Sequence, residues 1–177
     1  TNEDRARGRM YQERRAFERL RSEATSLDEY LSSLSMEVTA VPAEGPARTR
    51  LFQLLHKTNQ FNLTTRRYSE SEFDQLVQAQ NSRVFGISVR DRLGDSGIVG
   101  LMVLKLSSEA SEIDTFLMSC RVLGRNVETG ILAYAVNLSR LAGTKRLRGC
   151  YIPTAKNRMV RDLYERHGFT LIGHEEE

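Results

Sequence analysis

Hydrophobic and polar positions repeat with a helical period through most of the first 80 residues. Residues 3–23 are highly charged and carry only a thin apolar stripe of Met10, Phe17 and Leu20, which predicts a mostly exposed helix. Two Ser-x-x-Glu capping boxes mark the starts of later helices. The other predicted elements are helices at 27–34, 48–60 and 70–80, an alternating β-branched strand at 36–41 and a polar loop at 61–69.

From residue 83 the period changes to that of strands. Two apolar runs flank a loop rich in glycine and aspartate, which predicts a hairpin. A third strand, an apolar helix, a fourth strand, an amphipathic helix and a last short strand at 170–173 follow. The strand–helix–strand unit at 113–152 requires a right-handed crossover between parallel strands. The residues expected to face inward on the amphipathic helix are Met159, Val160, Leu163 and Tyr164.

Composition narrows the class of protein. A chain of 177 residues with 40% hydrophobic residues and three prolines is expected to form one domain, or one domain with an appendage. No apolar run reaches the length of a membrane span, so no membrane partner is expected. Two cysteines suit a reducing cytoplasm. The highly charged start predicts that 1–25 are a linker helix from an upstream domain and that 26–177 form the main domain.

Charge points weakly to anionic partners. Lysines and arginines number 26 against 23 acidic residues, which gives a net charge of only +3. A duplex DNA binder would carry a denser basic stripe, so no nucleic-acid partner is expected. No cluster of His, Cys and Asp has metal-ligand spacing, so no metal is expected either.

A glycine-containing loop before the apolar helix is the first candidate site. Gly124 allows close backbone approach, and a helix start offers free N–H groups to an anion. Together with Arg121 and Arg125, these donors predict a site for a phosphate or pyrophosphate. Asn126 takes room, which favours the single phosphate of a carrier-bound arm over full coenzyme A; an ordinary turn without ligand is the alternative. The candidate residues are Arg121, Val122, Leu123, Gly124, Arg125, Asn126 and Val127.

The thiol of Cys120 stands directly before this loop. Its arginine neighbours and the helix start favour a thiolate nucleophile that holds an acyl group as a thioester. The alternative is a small buried residue, which is the usual fate of cysteine. Cys150 lies within an apolar strand and is interpreted as part of the core.

The order of hairpin, third strand, glycine loop, helix, parallel strand and amphipathic helix resembles the core of GNAT acyltransferases. Their loop motif, Gln/Arg-x-x-Gly-x-Gly/Ala, is matched by Arg121 and Gly124, with Asn126 in place of the last small residue. Their helix pattern N-x-x-V-x-x-L-Y-x-x-x-G-F is matched by Asn157, Val160, Leu163, Tyr164, Gly168 and Phe169. The resemblance implies a mixed α/β fold, with a central splayed sheet flanked by helices and an N-terminal helical extension, and a cofactor contact at Asn157.

A closer resemblance covers nearly the whole chain. The runs KTNQFNLTTRRYSE, EIDTFLMSCRVLGRNVE and YIPTAKNRMVRDLYERHGF are similar to the C-terminal part of FkbH-like proteins. Those proteins join a HAD-type phosphatase-like domain, whose aspartate motif is absent here, to a GNAT-like domain. They load a glyceryl unit from 1,3-bisphosphoglycerate onto an acyl carrier protein for polyketide extender synthesis. The resemblance implies an acyl carrier protein and a HAD-type domain as partners, and carrier-bound phosphopantetheine or CoA/acyl-CoA as cofactor.

The same resemblance suggests roles for two further groups of residues. Tyr164 matches the tyrosine that protonates the departing thiolate in many GNAT enzymes, while a core aromatic is the alternative. The segment after the first GNAT helix lines the acceptor side, and its polar groups here suit glycerate; a self-bonded loop is the alternative. The residues expected to contact substrate are Asn59, Gln60, Asn62, Thr64 and Arg66.

The motifs and the family resemblance are compatible with three functions. The first is an acyltransferase in which Cys120 accepts or presents a glyceryl group that the pantetheine arm of a carrier protein collects. The second is a CoA-dependent N-acetyltransferase acting on an amine, although nothing in the sequence indicates an amine acceptor. The third is a non-catalytic docking module that positions the carrier protein for a HAD-type partner.

Overall fold

Six strands form one mixed sheet flanked by helices on both faces. The computed structural model describes residues 2–173, apart from the side chains of residues 2–7, 9 and 10. The strands are β1 (Glu37–Pro42), β2 (Phe61–Asn62), β3 (Ser82–Asp91), β4 (Gly94–Lys105), β5 (Ser111–Met118) and β6 (Leu147–Gly149). The helices are α1 (Asn2–Glu23), α2 (Leu27–Leu34), α3 (Gly45–Lys57), α4 (Glu70–Gln78), α5 (Val127–Leu141) and α6 (Leu163–Arg166), with 3₁₀ turns at Cys120–Val122 and Arg158–Val160.

Local sequence signals account for the helix starts. The Ser69 hydroxyl accepts from the Glu72 amide at 3.3 Å, and the Glu72 carboxylate accepts from the Ser69 amide at 2.7 Å, which completes the predicted capping box. The other box is shifted by one residue. Ser26 accepts from the Glu29 amide, but the Glu29 carboxylate bonds Thr25.

The sheet separates two hydrophobic cores. One contains α5, α6 and the sheet face towards them, with Phe116, Met118 and Ile131 among its buried residues. The other packs α3 and α4 on the opposite face, through Leu51 and Phe73. Helical and strand periodicity in the sequence therefore places apolar stripes on both sides of one sheet.

The predicted parallel crossover is confirmed, and the two strands it joins diverge. β5 and β6 pair in parallel only from Ser111↔Leu147 to Ile113↔Gly149. Beyond that point β2 lies between them, paired antiparallel with Leu117 and Met118 of β5. The Leu63 amide donates to the Phe116 carbonyl at 3.1 Å, and the Ile152 amide donates to the Leu63 carbonyl at 2.9 Å. The segment predicted to be a loop therefore fills the opening in the sheet.

Two predictions near the C-terminus are wrong. Residues 170–173 form no strand, because no described strand lies beside them, and Leu171 and Ile172 are exposed. The amphipathic helix is replaced by the turn Arg158–Val160 and the short α6. A 3₁₀ turn has three residues per turn, which changes the phase of the helix and leaves Met159 exposed. Thr1 of the predicted linker helix 1–25 and residues 174–177 of the predicted domain 26–177 lie outside the described residues.

Candidate functional site

The loop between β5 and α5 contains two left-handed residues. After β5, the Ser119 hydroxyl accepts from the Arg121 amide at 3.4 Å and starts the turn Cys120–Val122. Gly124 follows with a φ of +77°, and Asn126 with a φ of 55° precedes the first residue of α5. Glycine adopts this region freely and asparagine adopts it more readily than most residues, so the sequence suits the turn.

This loop leaves a run of main-chain donors without an acceptor. Among the described residues, the backbone amides of 124–128 donate no hydrogen bond. They lie at the start of a 15-residue helix, whose macrodipole favours an anion there. Arg121 is exposed beside them. The Glu128 carboxylate disfavours an anion at this position, because one of its oxygens is buried there without a described partner.

The side chain of Arg125 is bound by partners within the chain. Its guanidinium pairs with the Asp91 carboxylate at 3.0 Å and donates to the Arg121 carbonyl at 2.8 Å. It also lies 3.5 Å from the ring centroid of Phe17 on α1. Burial lowers the pKa of Arg125 and the charge of Asp91 opposes this, so the group keeps its charge. Its charge is engaged within the protein, and a ligand contact by Arg125 stays a prediction.

The two thiols differ in exposure. Cys120 is exposed in the first turn after β5, whereas Cys150 is half-buried directly after β6. The Tyr164 hydroxyl has no hydrogen-bond partner among the described residues, so no such bond links it to Cys120. The catalytic roles predicted for Cys120 and Tyr164 therefore stay predictions.

The hydroxyl of Tyr164 is buried without a hydrogen-bond partner among the described residues. Its ring packs on the backbone of Gly149 so closely that a Cβ there would lie 2.3 Å from Cε1 of the ring. Burial raises the pKa of Tyr164 far above its ordinary value, and the neighbouring Cys150 and Glu112 raise it further. This phenol is therefore protonated at neutral pH and is a weaker acid than an ordinary tyrosine.

Most of the predicted substrate residues bond to other parts of the chain. Asn62 is buried, and its amide donates to the Thr58 carbonyl at 3.1 Å and accepts from the Thr65 amide at 2.9 Å. The Asn59 side chain accepts from Arg67, and Gln60 is exposed. These bonds are those of the self-bonded alternative, and substrate contact at this segment stays a prediction.

Thr64 and Arg66 converge on a residue that the sequence reasoning missed. The carboxylate of Asp114 is fully buried in β5 and accepts from Arg66, Tyr68 and Lys105, the last at 2.5 Å. The Thr64 hydroxyl donates to the Asp114 carbonyl at 3.0 Å. Burial alone would raise the pKa of Asp114, but these hydrogen bonds and the two positive charges lower it below the ordinary value. The sequence signal that could have indicated this buried carboxylate is an acidic residue inside the apolar run EIDTFLM.

The hydrogen bond between Tyr68 and Asp114 shifts the pKa of Tyr68 upward, whereas it shifts that of Asp114 downward. Burial and its hydrogen bond to Asp114 raise the pKa of Tyr68 to about 12. The phenol therefore donates to the carboxylate throughout the physiological range.

Asn157 is saturated by partners within the chain. Its amide nitrogen donates to the carbonyls of Asn62 and Ile152, both at 2.9 Å. Its amide oxygen accepts from the Thr154 amide at 2.8 Å and the Tyr151 hydroxyl at 3.3 Å. Asn157 thus joins β2 to the segment after β6, and its predicted cofactor contact is untested.

The described part of the chain shows neither a metal-binding cluster nor a membrane helix. It contains no group of three or more His, Cys, Asp or Glu side chains arranged to hold a metal ion. None of its helices combines the length and the apolar character that a membrane crossing requires.

Comparisons with solved structures find acetyltransferases. An aminoglycoside acetyltransferase from an uncultured soil metagenomic sample matches with a TM-score of 0.59 at 12% identity, over 81% of this chain and 97% of that one. A ribosomal-protein-alanine N-acetyltransferase from Brucella melitensis matches with a TM-score of 0.57 at 11% identity, over 81% and 97% of the two chains. A GNAT family acetyltransferase from Elizabethkingia anophelis with acetyl-CoA bound matches with a TM-score of 0.54 at 15% identity, over 78% of each chain. No family model and no curated protein matches.

The chain therefore has the fold of the GNAT acetyltransferases. The predicted fold class, a mixed sheet between helices with the two parallel strands diverging, is confirmed. The identities are low, so the likeness concerns the fold and leaves the substrate open.

Proposed function

We propose that this domain is an acyltransferase that moves a glyceryl or similar acyl group onto the phosphopantetheine thiol of an acyl carrier protein. The observation that carries the proposal is the run of unpaired amides at 124–128, which begins at the left-handed Gly124 and lies beside the exposed Arg121. Such an array binds a phosphate, which phosphopantetheine and coenzyme A both bring. The glyceryl group and the carrier protein come from the resemblance to FkbH-like proteins.

The chemistry assigned to the side chains is a thioester exchange. The Cys120 thiol attacks the acyl phosphate carbonyl of 1,3-bisphosphoglycerate, the C–O bond breaks, and phosphate leaves with the thiol proton. A HAD-type partner would remove the remaining phosphate by hydrolysis. The carrier thiol then attacks the thioester, the bond to Cys120 breaks, and the departing sulfur takes a proton. Tyr164 is the candidate proton donor because it matches the tyrosine of the GNAT helix pattern and its buried hydroxyl has no described partner.

A docking module without catalysis is the second candidate, and one observation favours it. β2 already bonds residues 116–118, at the end of β5 next to the loop. A ligand arm therefore finds no free main-chain edge on that part of β5. Under this alternative the domain holds the carrier protein while a HAD-type partner performs the transfer.

An N-acetyltransferase is the third candidate. It rests on the neighbours, whose names include aminoglycoside and ribosomal-protein acetyltransferases. Release of free coenzyme A from acetyl-CoA in the presence of an amine would identify this activity.

The test is intact-protein mass spectrometry. The domain is incubated with a HAD-type partner and 1,3-bisphosphoglycerate, and a phosphopantetheinylated carrier protein is then added. The proposal predicts a glyceryl adduct on the domain that moves to the carrier protein. Loading of the carrier protein at the same rate without the domain would refute catalysis, and carrier binding without any adduct on the domain would favour the docking module.

A further inference from the structure

One face of α1 packs on the candidate loop and on the neighbouring β3–β4 turn. Glu13, Phe17 and Arg21 are spaced four apart and so lie on one side of the helix. A Cβ on Gly94, where β4 begins after the turn, would lie 3.4 Å from the Glu13 carboxylate, and one on Gly124 would lie 3.8 Å from the Arg21 guanidinium. The Phe17 ring lies between these two contacts, against Arg125. The helix that the sequence suggests is a linker therefore contacts the loop along two turns.

The centre of this contact is a buried ion pair. The side chains of Arg125 and Asp91 are 8% and 2% exposed. A buried pair is stable only when its geometry is good and its remaining polar groups are satisfied. Asp91 supplies the charge, the Arg121 carbonyl accepts a second hydrogen bond at 2.8 Å, and the Phe17 ring covers the guanidinium.

The same arginine closes the loop on itself. Its bond to the Arg121 carbonyl spans four residues, from the loop residue before Asn126 back to the turn after β5. The segment enclosed by this bond contains Gly124, whose amide is the first of the unpaired donors. Moving Arg125 would therefore release the part of the backbone that presents those donors.

We infer that Phe17 and Asp91 are positioning residues, which hold Arg125 in place and thereby fix the phosphate-binding conformation of the loop. The inference rests on the proposed function, since it concerns the regulation of the same loop. Without the Phe17 ring, the guanidinium becomes hydrated and leaves Asp91 and the Arg121 carbonyl. α1 then belongs to the domain as a brace of its ligand site.

A competing possibility predicts the opposite change in ligand affinity when the Phe17 ring is removed. If Arg125 were itself the phosphate ligand, Phe17 and Asp91 would hold it away from the ligand. Removing the Phe17 ring would then release a guanidinium towards the phosphate and strengthen binding. The two possibilities are separated by the direction of one change in affinity.

The experiment measures coenzyme A binding by isothermal titration calorimetry in the full chain. We expect Phe17→Ala to weaken binding about tenfold, and Phe17→Tyr, which keeps a ring against the guanidinium, to restore it. Tyr11→Ala is the matched control, because Arg15 lies 4.9 Å from that exposed ring on the same helix, away from the loop. Unchanged or tighter binding by Phe17→Ala would overturn the inference.

A double-mutant cycle tests whether both residues act through Arg125. Asp91→Asn is expected to weaken binding by a similar factor, and the double variant Phe17→Ala/Asp91→Asn by little more than either change alone. Multiplied effects would mean that the two residues act independently, which contradicts the proposed mechanism.

Hydrogen exchange provides a measurement that needs no ligand. The amides of Val122 and Leu123 donate to Ser119 and Cys120, within the turn that Arg125 holds. Their exchange should be at least tenfold faster in Phe17→Ala than in wild type, and unchanged in Tyr11→Ala. Failure of the wild type to bind coenzyme A or phosphopantetheine would refute the phosphate site alone, whereas unchanged exchange in a folded Phe17→Ala would refute the brace.

Discussion

Two buried polar groups around β5 and β6, the Asp114 carboxylate and the Tyr164 hydroxyl, have opposite surroundings. Asp114 accepts from three side chains of other segments, in addition to Thr115. The Tyr164 hydroxyl has no described partner. A buried polar atom without a hydrogen bond lowers stability, so a chain that keeps one there points to a role other than folding.

Replacing Tyr164 by Phe separates stability from activity. The unpaired hydroxyl contributes no hydrogen bond, so the melting temperature should stay the same or rise. If the phenol donates the proton in the proposed transfer, the rate of carrier loading should fall about a hundredfold. Tyr151→Phe is the control, because it loses a bond to Asn157 and should cost about 1 kcal/mol of stability without this loss of rate. An unchanged rate in Tyr164→Phe would assign the tyrosine to packing.

The two cysteines should react at different rates with iodoacetamide at neutral pH. Cys120 is exposed and Cys150 is half-buried next to Tyr164, so we expect peptide mapping to show modification of Cys120 at least tenfold faster. In the proposed reaction Cys120→Ala should abolish the glyceryl adduct, whereas Cys150→Ala should keep it. An adduct that persists in Cys120→Ala would make this residue a bystander.

At the scale of elements, the connection from β5 to α5 combines a local and a distant determinant. The left-handed Gly124 and the helix start are encoded within the loop itself. The direction of Arg125 depends on α1 and on the end of β3. The unpaired amides are thus a local property, while the conformation in which they are presented depends on distant elements.

Replacing Gly124 by Val tests the loop as a ligand site. A β-branched residue is strained at a φ of +77° and places bulk beside the unpaired amides. Coenzyme A binding should weaken more than tenfold, which corresponds to about 1.4 kcal/mol. Gly130→Ala, in α5 with open space around its Cβ, is the control and should leave binding unchanged. Equal affinity of a folded Gly124→Val variant and wild type would show that this loop is not the phosphate-binding site.

At the scale of the whole molecule, the buried carboxylate of Asp114 joins segments that lie far apart in the sequence. It bonds Lys105 at the end of β4, and Arg66 and Tyr68 in the segment after β2. That segment directly follows β2, the strand that fills the opening between β5 and β6. The closure of the sheet and the charge of Asp114 are therefore coupled.

The acid stability of the domain should depend on Asp114. Because folding lowers the pKa of Asp114 below its ordinary 3.8, its contribution is present above that value and is lost as the pH falls through the folded pKa. Asp114→Asn should lower the free energy of unfolding at pH 7 by about 2 kcal/mol, because it weakens charge-assisted hydrogen bonds whose cationic partners are partly exposed. Its stability should also change less with pH below about 4 than that of the wild type. Urea unfolding at several pH values measures both effects.

The control for this prediction is Asp95→Asn. Asp95 also has a lowered pKa, because it accepts hydrogen bonds from the Gly97 amide and from Arg90, but it is exposed near the start of β4. Solvent and salt screen such a pair, so its loss should leave the urea midpoint unchanged. Equal effects of the two substitutions would mean that burial of Asp114 is not what couples its charge to folding.

The sequence by itself determined the order of the elements from residue 83 to the turn before α6 and the parallel crossover. Periods of two and 3.6 residues, the Ser69–Glu72 capping box and the left-handed Gly124 are short-range properties, which neighbouring residues decide. The same patterns located the loop with its unpaired amides. They also failed locally at Met159, where a 3₁₀ turn changed the phase of the helix.

Only the tertiary structure decided where the polar side chains point. Arg125 turns to Asp91 and Phe17, 34 residues and 108 residues away along the chain, and Asp114 binds the segment around Arg66, 48 residues away. Strand β2 is too short to be recognised by period and exists because β5 and β6 diverge around it. Burial and charge pairing between distant segments fix these arrangements, and no local pattern in the sequence records which distant partner a buried charge will meet.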